Sequence, residues 1–382
     1  ERVASLLGVQ VPRSDVEGIL RRLGMQVAGA GDVLGVIPPS HRFDIAIEQD
    51  LIEEIGRIYG YDEIPRKDAK VPQRPQPATE QVVSRERLML LLADRGYQEA
   101  ITYSFVDART QRLLFPGREA LALANPISAE LGEMRVSLWP GLIEVLRSNL
   151  RRQQQRVRLF ELGTRFEMKG QLLSESQVIG GLITGAALPE QWGADKRGAD
   201  FYDLKSDVEA LFGLTGHAGV ISYIAAPHES LHPGRSAAVM HGNTRLGWLG
   251  QLHPETARKL EIRDAPWLFE LGIDLSFRSE VPVFRDISRF PAIRRDLAVV
   301  IDEATTLDEL KKAVNFAAKG LLRELHVFDV YRGTGVEPGR KSVALGLILQ
   351  ETSRTLTDVE ADTVMTAVVA LVKGDLKAAI RG

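Results

Sequence analysis

Apolar and polar positions change period several times along the chain, and each change marks a new element. Ile47, Leu51, Ile55 and Ile58 recur at helical spacing. Gly60 follows where a left-handed cap belongs, so a helix is predicted to end there. The other side of that helix carries Asp50, Glu53, Glu54 and Arg57, and Asp44 enters just before it. Upstream, Arg2 to Leu7 predicts a short helix closed by Gly8, and Ser14 with Glu17 forms a capping-box pattern opening a helix that ends near Gly24. Gln26 to Pro38, interrupted by Gly29, Gly31 and Gly35, predicts a short hairpin. Helix, helix, ribbon, helix makes a unit of about the smallest size that folds alone. Winged DNA-binding modules share this order, but no basic recognition helix is visible here.

Lys67 to Pro77 has three prolines and no periodic apolar residues, which predicts an extended linker over 67–79. From Glu80 to about 280 the pattern predicts a second domain. Val82 to Arg95 is amphipathic, with Leu88, Leu91 and Leu92 inward and Gly96 as a stop. QEAITYSFVD reads as a strand. A helix is predicted over Pro140–Gln155 and another over Tyr202–Leu214. Strands are predicted at Val157–Phe166, Val178–Thr184, Ala237–His241, Trp248–Leu252 and Trp267–Leu275. Strands outnumber helices and are mostly hairpin-spaced, so an antiparallel α+β sheet is expected rather than a doubly wound one.

A third domain is predicted over 284–382. RRDLAVVID is a strand, Thr306 and Glu309 cap a helix through Ala318, and Arg323–Tyr331 and Lys341–Gln350 are strands joined by a Gly/Pro-rich turn. Thr357 and Glu360 cap a second helix reaching Leu371, and Leu376–Ile380 closes with a short strand. The order βαββαβ is the ferredoxin-like split unit, which many functions share. The whole is therefore read as α+β and multidomain.

Length and charge narrow the field. The 382 residues exceed one ordinary core, 44% are hydrophobic and 26% charged, and the formal net charge is −3. Bulk charge gives no nucleic-acid signal, so any RNA contact must be local. The terminal domain from Phe284 holds 15 Lys+Arg against 14 Asp+Glu, which favours placed contacts and stacking over general attraction for phosphates. Arg289, Arg294, Arg295, Arg332, Arg340 and Lys341 flank its strand ends and turn, and Phe290 and Tyr331 offer stacking surfaces. No cysteine is present, which removes disulfides, thiolate metal sites and Cys nucleophiles. No apolar run approaches membrane-spanning length, and no signal peptide opens the chain. The first residue is Glu1 rather than Met, so the sequence is expected to be a piece of a longer protein.

Three clusters could carry chemistry. Like charges one turn apart cost an isolated helix roughly 0.2–0.5 kcal/mol per pair, so the acidic face calls for compensation. Arg57 can supply it as an ordinary ion pair, and a hard divalent cation is the alternative. Arg147, Arg151, Arg152, Arg156 and Arg158 form a basic cluster that suits a solvated helix end, an RNA backbone or an acidic partner. His228, His232, His241 and His253 match no compact zinc-ligand spacing and are expected to be ordinary loop or core histidines. No His base or phosphate-binding loop accompanies the carboxylates, which argues against a metal-dependent hydrolase.

The string HRFDIAIEQDLIEEIGRIYGYDEIP resembles a small domain in the family of bacterial phenylalanine–tRNA ligase beta subunits. In that family an Asp before the helix and Asp-x-x-Glu-Glu on it are assigned to a magnesium ion shared with the alpha subunit. The resemblance therefore implies Mg²⁺ ligation by Asp44, Asp50, Glu53 and Glu54, and it favours the metal over the solvated face. NPIS from Asn125, MRVSLWPGL from Met134, FELG from Phe160 and FYDLK from Phe201 resemble the family's class II synthetase core. A working core of that class has an Arg two residues before a strand Glu to hold ATP. Leu159 stands there before Glu161, and WLFELGIDLS leads to no second ATP-gripping Arg. Without those cations the phosphate charge would be unstabilised, so the core is expected to be non-catalytic. SRFPAIRRDLAVVID and HVFDVYRG resemble the family's ferredoxin-fold anticodon-binding domain.

The resemblance implies the C-terminal half of a beta subunit in a cytoplasmic alpha2-beta2 heterotetramer. That holoenzyme attaches phenylalanine to tRNA(Phe), with ATP bound on the alpha subunit. Subunit association, Mg²⁺ binding and tRNA docking are then expected of this chain, and neither adenylation nor editing. A non-catalytic RNA-binding or adaptor protein built from the same domains fits the missing arginines equally well; co-purification of a stoichiometric alpha subunit separates the two.

Overall fold

The computed structural model describes residues 1–31, 33–66, 82–170, 172–216, 218–279, 281, 283–284 and 286–381. Packing divides the chain into two compact units, Glu1–Ala78 and Thr79–Gly382. The predicted linker at 67–79 lies outside the described residues.

In the first unit α1 (Arg2–Leu7) ends at Gly8, whose φ of 71° allows the left-handed closing turn. The capping box predicted for α2 (Arg13–Arg22) does not form. Pro12, two residues before Ser14, takes the N-cap position, which places Glu17 in the interior, where Arg13 at 2.7 Å and Arg21 at 2.8 Å hold it. β1 (Gln26–Ala28) and β2 (Gly35–Ile37) form the predicted antiparallel ribbon. α3 (Glu48–Tyr59) buries Ile52, Ile55 and Gly56, whereas Ile47 and Ile58 stay exposed. The buried stripe is rotated from the predicted one because α1 approaches α3 at a glycine: a Cβ on Gly56 would stand 3.0 Å from Leu7 Cδ2. Gly60 has φ 103° and ψ 117°, so it turns the chain out of α3 without the predicted left-handed cap.

The second unit opens with α4 (Arg85–Asp94), which buries Leu88 and Leu92 and stops before Gly96 at φ 81°. QEAITYSFVD is not one strand. It splits into β3 (Gln98–Glu99) and β4 (Phe105–Val106), because the chain between them bends so that Thr102 reaches the buried Glu161. After α5 (Ala108–Leu114), β5 (Glu133–Met134) pairs with β4. α6 (Trp139–Arg151), β6 (Val157–Lys169), β7 (Leu172–Thr184) and α7 (Phe201–Gly213) follow. Then come β8 (Ile221–Ala225), β9 (Leu231–His241), β10 (Thr244–Leu252), α8 (Pro254–Lys259), β11 (Trp267–Gly272) and the short α9 (Ile273–Ser276). The sheet order is β3-β6-β7-β11-β10-β9-β8, antiparallel throughout except where β3 meets β6. One face packs on α6, with Trp139, Leu142 and Leu146. The other packs on α4 and α7, with Leu88, Leu211 and Phe212.

The terminal region forms β12 (Ile293–Asp302), α10 (Leu307–Ala317), β13 (Leu322–Tyr331), β14 (Arg340–Leu349), α11 (Asp358–Asp375) and β15 (Ala379–Arg381). Both predicted capping boxes are made, Thr306 with Glu309 and Thr357 with Glu360. The four strands lie in the order β13-β14-β12-β15, which is the ferredoxin-like arrangement. Leu297, Val299, Leu345 and Leu347 face α10 and α11 and form the core.

One core histidine has a consequence for acid stability. His228 sits against the rings of Trp248 at 4.9 Å, Trp139 at 5.2 Å and Phe115 at 6.2 Å. Burial there, reinforced by Arg118 and Arg245, pushes its imidazole down to about 4. Between pH 6.5 and 4 the unfolded chain therefore binds a proton that the folded chain does not. Stability is fully present above that window and falls through it, by up to about 3 kcal/mol. His228→Phe is expected to flatten this part of a Tm-versus-pH curve; an unchanged slope counts against the assignment.

Candidate nucleic-acid interface and acidic helix

Helices cover one face of the terminal sheet and leave the other open. Arg294 on β12 lies across β14, where Gly346 leaves it room: a Cβ at Gly346 would stand 3.1 Å from Arg294 Nη2. Its guanidinium thereby comes within 5.5 Å of the Phe328 ring on β13, while its Nε donates to Asp296 Oδ1 at 2.8 Å. Phe328 sits where the β13–β14 register shifts between Val327 and Asp329, an irregularity that re-aims side chains, and it is 55% exposed. At the far end Arg381 on β15 reaches the Tyr331 ring at 5.3 Å. Two aromatic rings, each flanked by a cation, thus line an exposed sheet face, the combination on which bases stack and phosphates are held.

Of the residues proposed from sequence, Arg294 and Tyr331 lie on this face. Arg295 points to the other side, paired with Asp358 at 2.6 Å and Asp362 at 3.0 Å on α11. Arg332 is paired with Glu303 at 2.9 Å, and Lys341 donates to the Glu303 carbonyl at 2.8 Å. Arg340 donates to the carbonyls of Val300 and Lys377. Phe290 is half-buried and its carbonyl accepts from Gln350, while Arg289 is exposed. Phe328 and Arg381 were missed, the first because a register irregularity breaks the alternation that would have placed it.

The arginine beside Glu161 in the large sheet is tied to that carboxylate. Leu159 is buried, and Glu161 is itself occupied: Arg135 Nη1 lies 2.6 Å from its Oε1, and the Thr102 hydroxyl donates to Oε2 at 2.7 Å. Arg135 also donates to the Thr164 carbonyl at 2.8 Å. Next to it Glu270 accepts from the Ser137 hydroxyl, the Leu138 N–H and Arg165. Gly163 and Gly141 are required here, since a Cβ on either would run into Arg135 or Thr102.

The basic cluster disperses. Arg158 is buried against Asp207 at 3.0 Å, Arg147 pairs with Glu144 at 2.7 Å, Arg152 donates to Ser148, and Arg156 faces the Ala187 carbonyl. The histidines do not converge either: His253 caps α8, and His232 accepts from the Gly234 N–H.

On the first unit, Arg42 stands between two of the four predicted metal ligands. Its Nη2 lies 2.7 Å from Asp44 Oδ2 and 3.2 Å from Glu54 Oε1, and Arg57 takes Glu54 Oε2 at 2.6 Å. Asp44 is held below the usual carboxylate range by Arg42, and Glu54 by Arg57 and then Arg42. Asp50 is held low by the N–H groups of Ala46 and Ile47, both donating to Oδ2, so it serves as the cap of α3. Glu53 is exposed and takes no part in this network. The donor atoms suit a hard cation, but they do not converge, and no group of three or more acidic or histidine side chains is assembled for a metal among the described residues. As arranged, these residues fit guanidinium ions rather than a bound metal.

Three family models match consecutive parts of the chain: the tRNA synthetase B5 domain over residues 1–61, the phenylalanyl tRNA synthetase beta chain CLM domain over 64–273, and the ferredoxin-fold anticodon binding domain over 288–381. The phenylalanine–tRNA ligase beta subunit of Methylococcus capsulatus is 48% identical over 100% of this chain and 48% of its own length. That of Nitrosococcus oceani is 43% identical over the same shares. The chain thus spans about half the length of these curated relatives. A pyrrolysyl tRNA synthetase structure from Desulfitobacterium hafniense matches 50% of the chain and 64% of its own, at 18% identity and a TM-score of 0.38, too distant to carry an argument.

The buried pair gives a direct test. Arg135→Met leaves Glu161 charged and unpaired and is expected to cost about 3–5 kcal/mol in urea denaturation. Adding Glu161→Leu should recover much of that loss, whereas two additive losses would show the pair to be independent residues.

Proposed function

Because the chain belongs to the phenylalanyl-tRNA synthetase beta chain family, we propose that it is the part of such a subunit that docks tRNA and supports a catalytic alpha partner, without performing the chemistry itself. The observation that carries this is the open sheet face of the terminal domain, with its Arg294–Phe328 and Arg381–Tyr331 pairs in the region matched by the anticodon-binding model. Near-neutral charge over that domain requires recognition by stacking and placed cations rather than by general attraction. In this reading the holoenzyme joins phenylalanine to tRNA(Phe) with ATP bound on the alpha subunit, as an alpha2-beta2 assembly in the cytoplasm. Glu161 belongs to the scaffold, because it is buried and already held by Arg135 and Thr102.

The acidic helix is proposed as part of the surface that meets the alpha subunit. Magnesium dependence is assigned there only in the assembled state, since in this chain Arg42 neutralises Asp44 and Glu54. Water and partner oxygens would complete any such site, because magnesium takes only one or two direct carboxylates as a rule.

Two measurements test this reading. Phe328→Ala with Tyr331→Ala, in the chain assembled with its alpha subunit, is expected to weaken tRNA binding by about tenfold or more, on the scale of one or two lost stacks. Arg332→Gln, which removes a cation already paired away from that face, should leave binding unchanged. Glu53→Gln with Glu54→Gln should lower alpha association and abolish its dependence on magnesium concentration. Assembly that is unchanged and metal-independent would return the helix to an ordinary ion-paired surface.

A further inference from the structure

The large sheet carries a cavity that none of the functions above uses. It is a half-open cleft of about 630 Å³ between the end of β7, the start of α7, the β9–β10 pair and the segment before β11. Ligand sites commonly span about 300–1,000 Å³ and combine apolar walls with a few fixed polar groups. Here Trp267, Leu252 and Ala265 supply the apolar wall, and Arg235, Arg263 and His232 supply the polar groups.

The two arginines differ from most others in the molecule. Arg42, Arg95, Arg118, Arg135, Arg158 and Arg165 are each bound to a carboxylate. Among the described residues, neither Arg235 nor Arg263 is so paired. Arg235 is held instead by a neutral acceptor. Its Nη1 donates to Gln251 Oε1 at 2.8 Å, and Gln251 is oriented by donating its own Nε2 to the Ala265 carbonyl at 3.2 Å. This chain fixes the guanidinium at the cavity without cancelling its charge. The Trp267 indole is fixed in the same way, its Nε1 donating to the Ala199 carbonyl at 3.0 Å. Asp264 is the one carboxylate on the lining, so positive charge predominates.

We propose that this cavity binds a phosphate-bearing nucleotide, free or within an RNA strand, with the phosphate on Arg235 and Arg263 and the base against the Trp267 wall. Guanidinium groups suit phosphate because their planar donors meet two oxygens at once. The apolar wall beside them, to which the largely buried Trp267 contributes, favours a nucleotide over a bare anion. The assignment is independent of the open face of the terminal domain and stands or falls separately.

Modification of Arg235 and Arg263 by phenylglyoxal, read by mass spectrometry on the full chain, reports this site and not the other. AMP is expected to protect both arginines, inorganic phosphate to protect them more weakly, and adenosine not at all. Protection by a single-stranded RNA oligonucleotide without protection by AMP would identify the strand as the ligand. Arg235→Gln with Arg263→Gln, both on exposed side chains, should leave Tm unchanged and lower the affinity for whichever probe protects by about tenfold or more, the scale of one lost charge-assisted hydrogen bond. Equal modification in the presence of phosphate, AMP and oligonucleotide would overturn the proposal, as would an unchanged affinity in the double variant.

Discussion

A guanidinium and a carboxylate shut away from water inside the large sheet set the terms for everything around them. Charges in a protein interior are tolerated only when every donor and acceptor finds a partner, because the cost of desolvation otherwise exceeds the attraction. Arg135 and Glu161 meet that condition through Thr102 and the Thr164 carbonyl. Meeting it bends the chain between β3 and β4, and places glycine at 141 and 163, where the network leaves no room for a Cβ. Glu270, Ser137 and Arg165 extend the same polar seam across to β11. The seam joins strands far apart in sequence more specifically than apolar packing could.

The same seam ties up the arginines at the centre of the large sheet. Catalysis of phosphoryl or adenylyl transfer needs cations aimed at developing negative charge. In this sheet the arginines nearest Glu161 and Glu270 are consumed by those carboxylates. Among the described residues, Arg235 and Arg263 beside Trp267 and Arg381 on the open face of the terminal sheet lack a carboxylate partner, whereas Arg294 on that face is paired with Asp296.

The acidic helix follows a related rule. Four carboxylates on and just before this helix are read as metal ligands through the family resemblance, whereas spacing shows only which side chains share a face. Spacing does not show what else arrives there. Arg42, from the segment before α3, enters between Asp44 and Glu54, and Asp50 turns back to its own N-terminal N–H groups. Local hydrogen bonding and two guanidinium groups, Arg42 and Arg57, hold Asp44, Asp50 and Glu54 within the chain itself, while Glu53 stays outside that network.

Sequence alone determined the ferredoxin-like βαββαβ unit and both capping boxes of the terminal region. All of these depend on periodicity or on residues within a few positions of one another. Only the tertiary structure decided the rotation of α3 about Gly56, the break in QEAITYSFVD and the capture of Glu161 by Arg135. It alone also separated Arg295, drawn to α11, from its neighbour Arg294, which crosses to Phe328. The physical reason is common to these cases. Alternation tells which neighbours face opposite ways, but the partner that fixes a charge or turns a helix comes from a distant segment, and its approach is set by packing that no local pattern records.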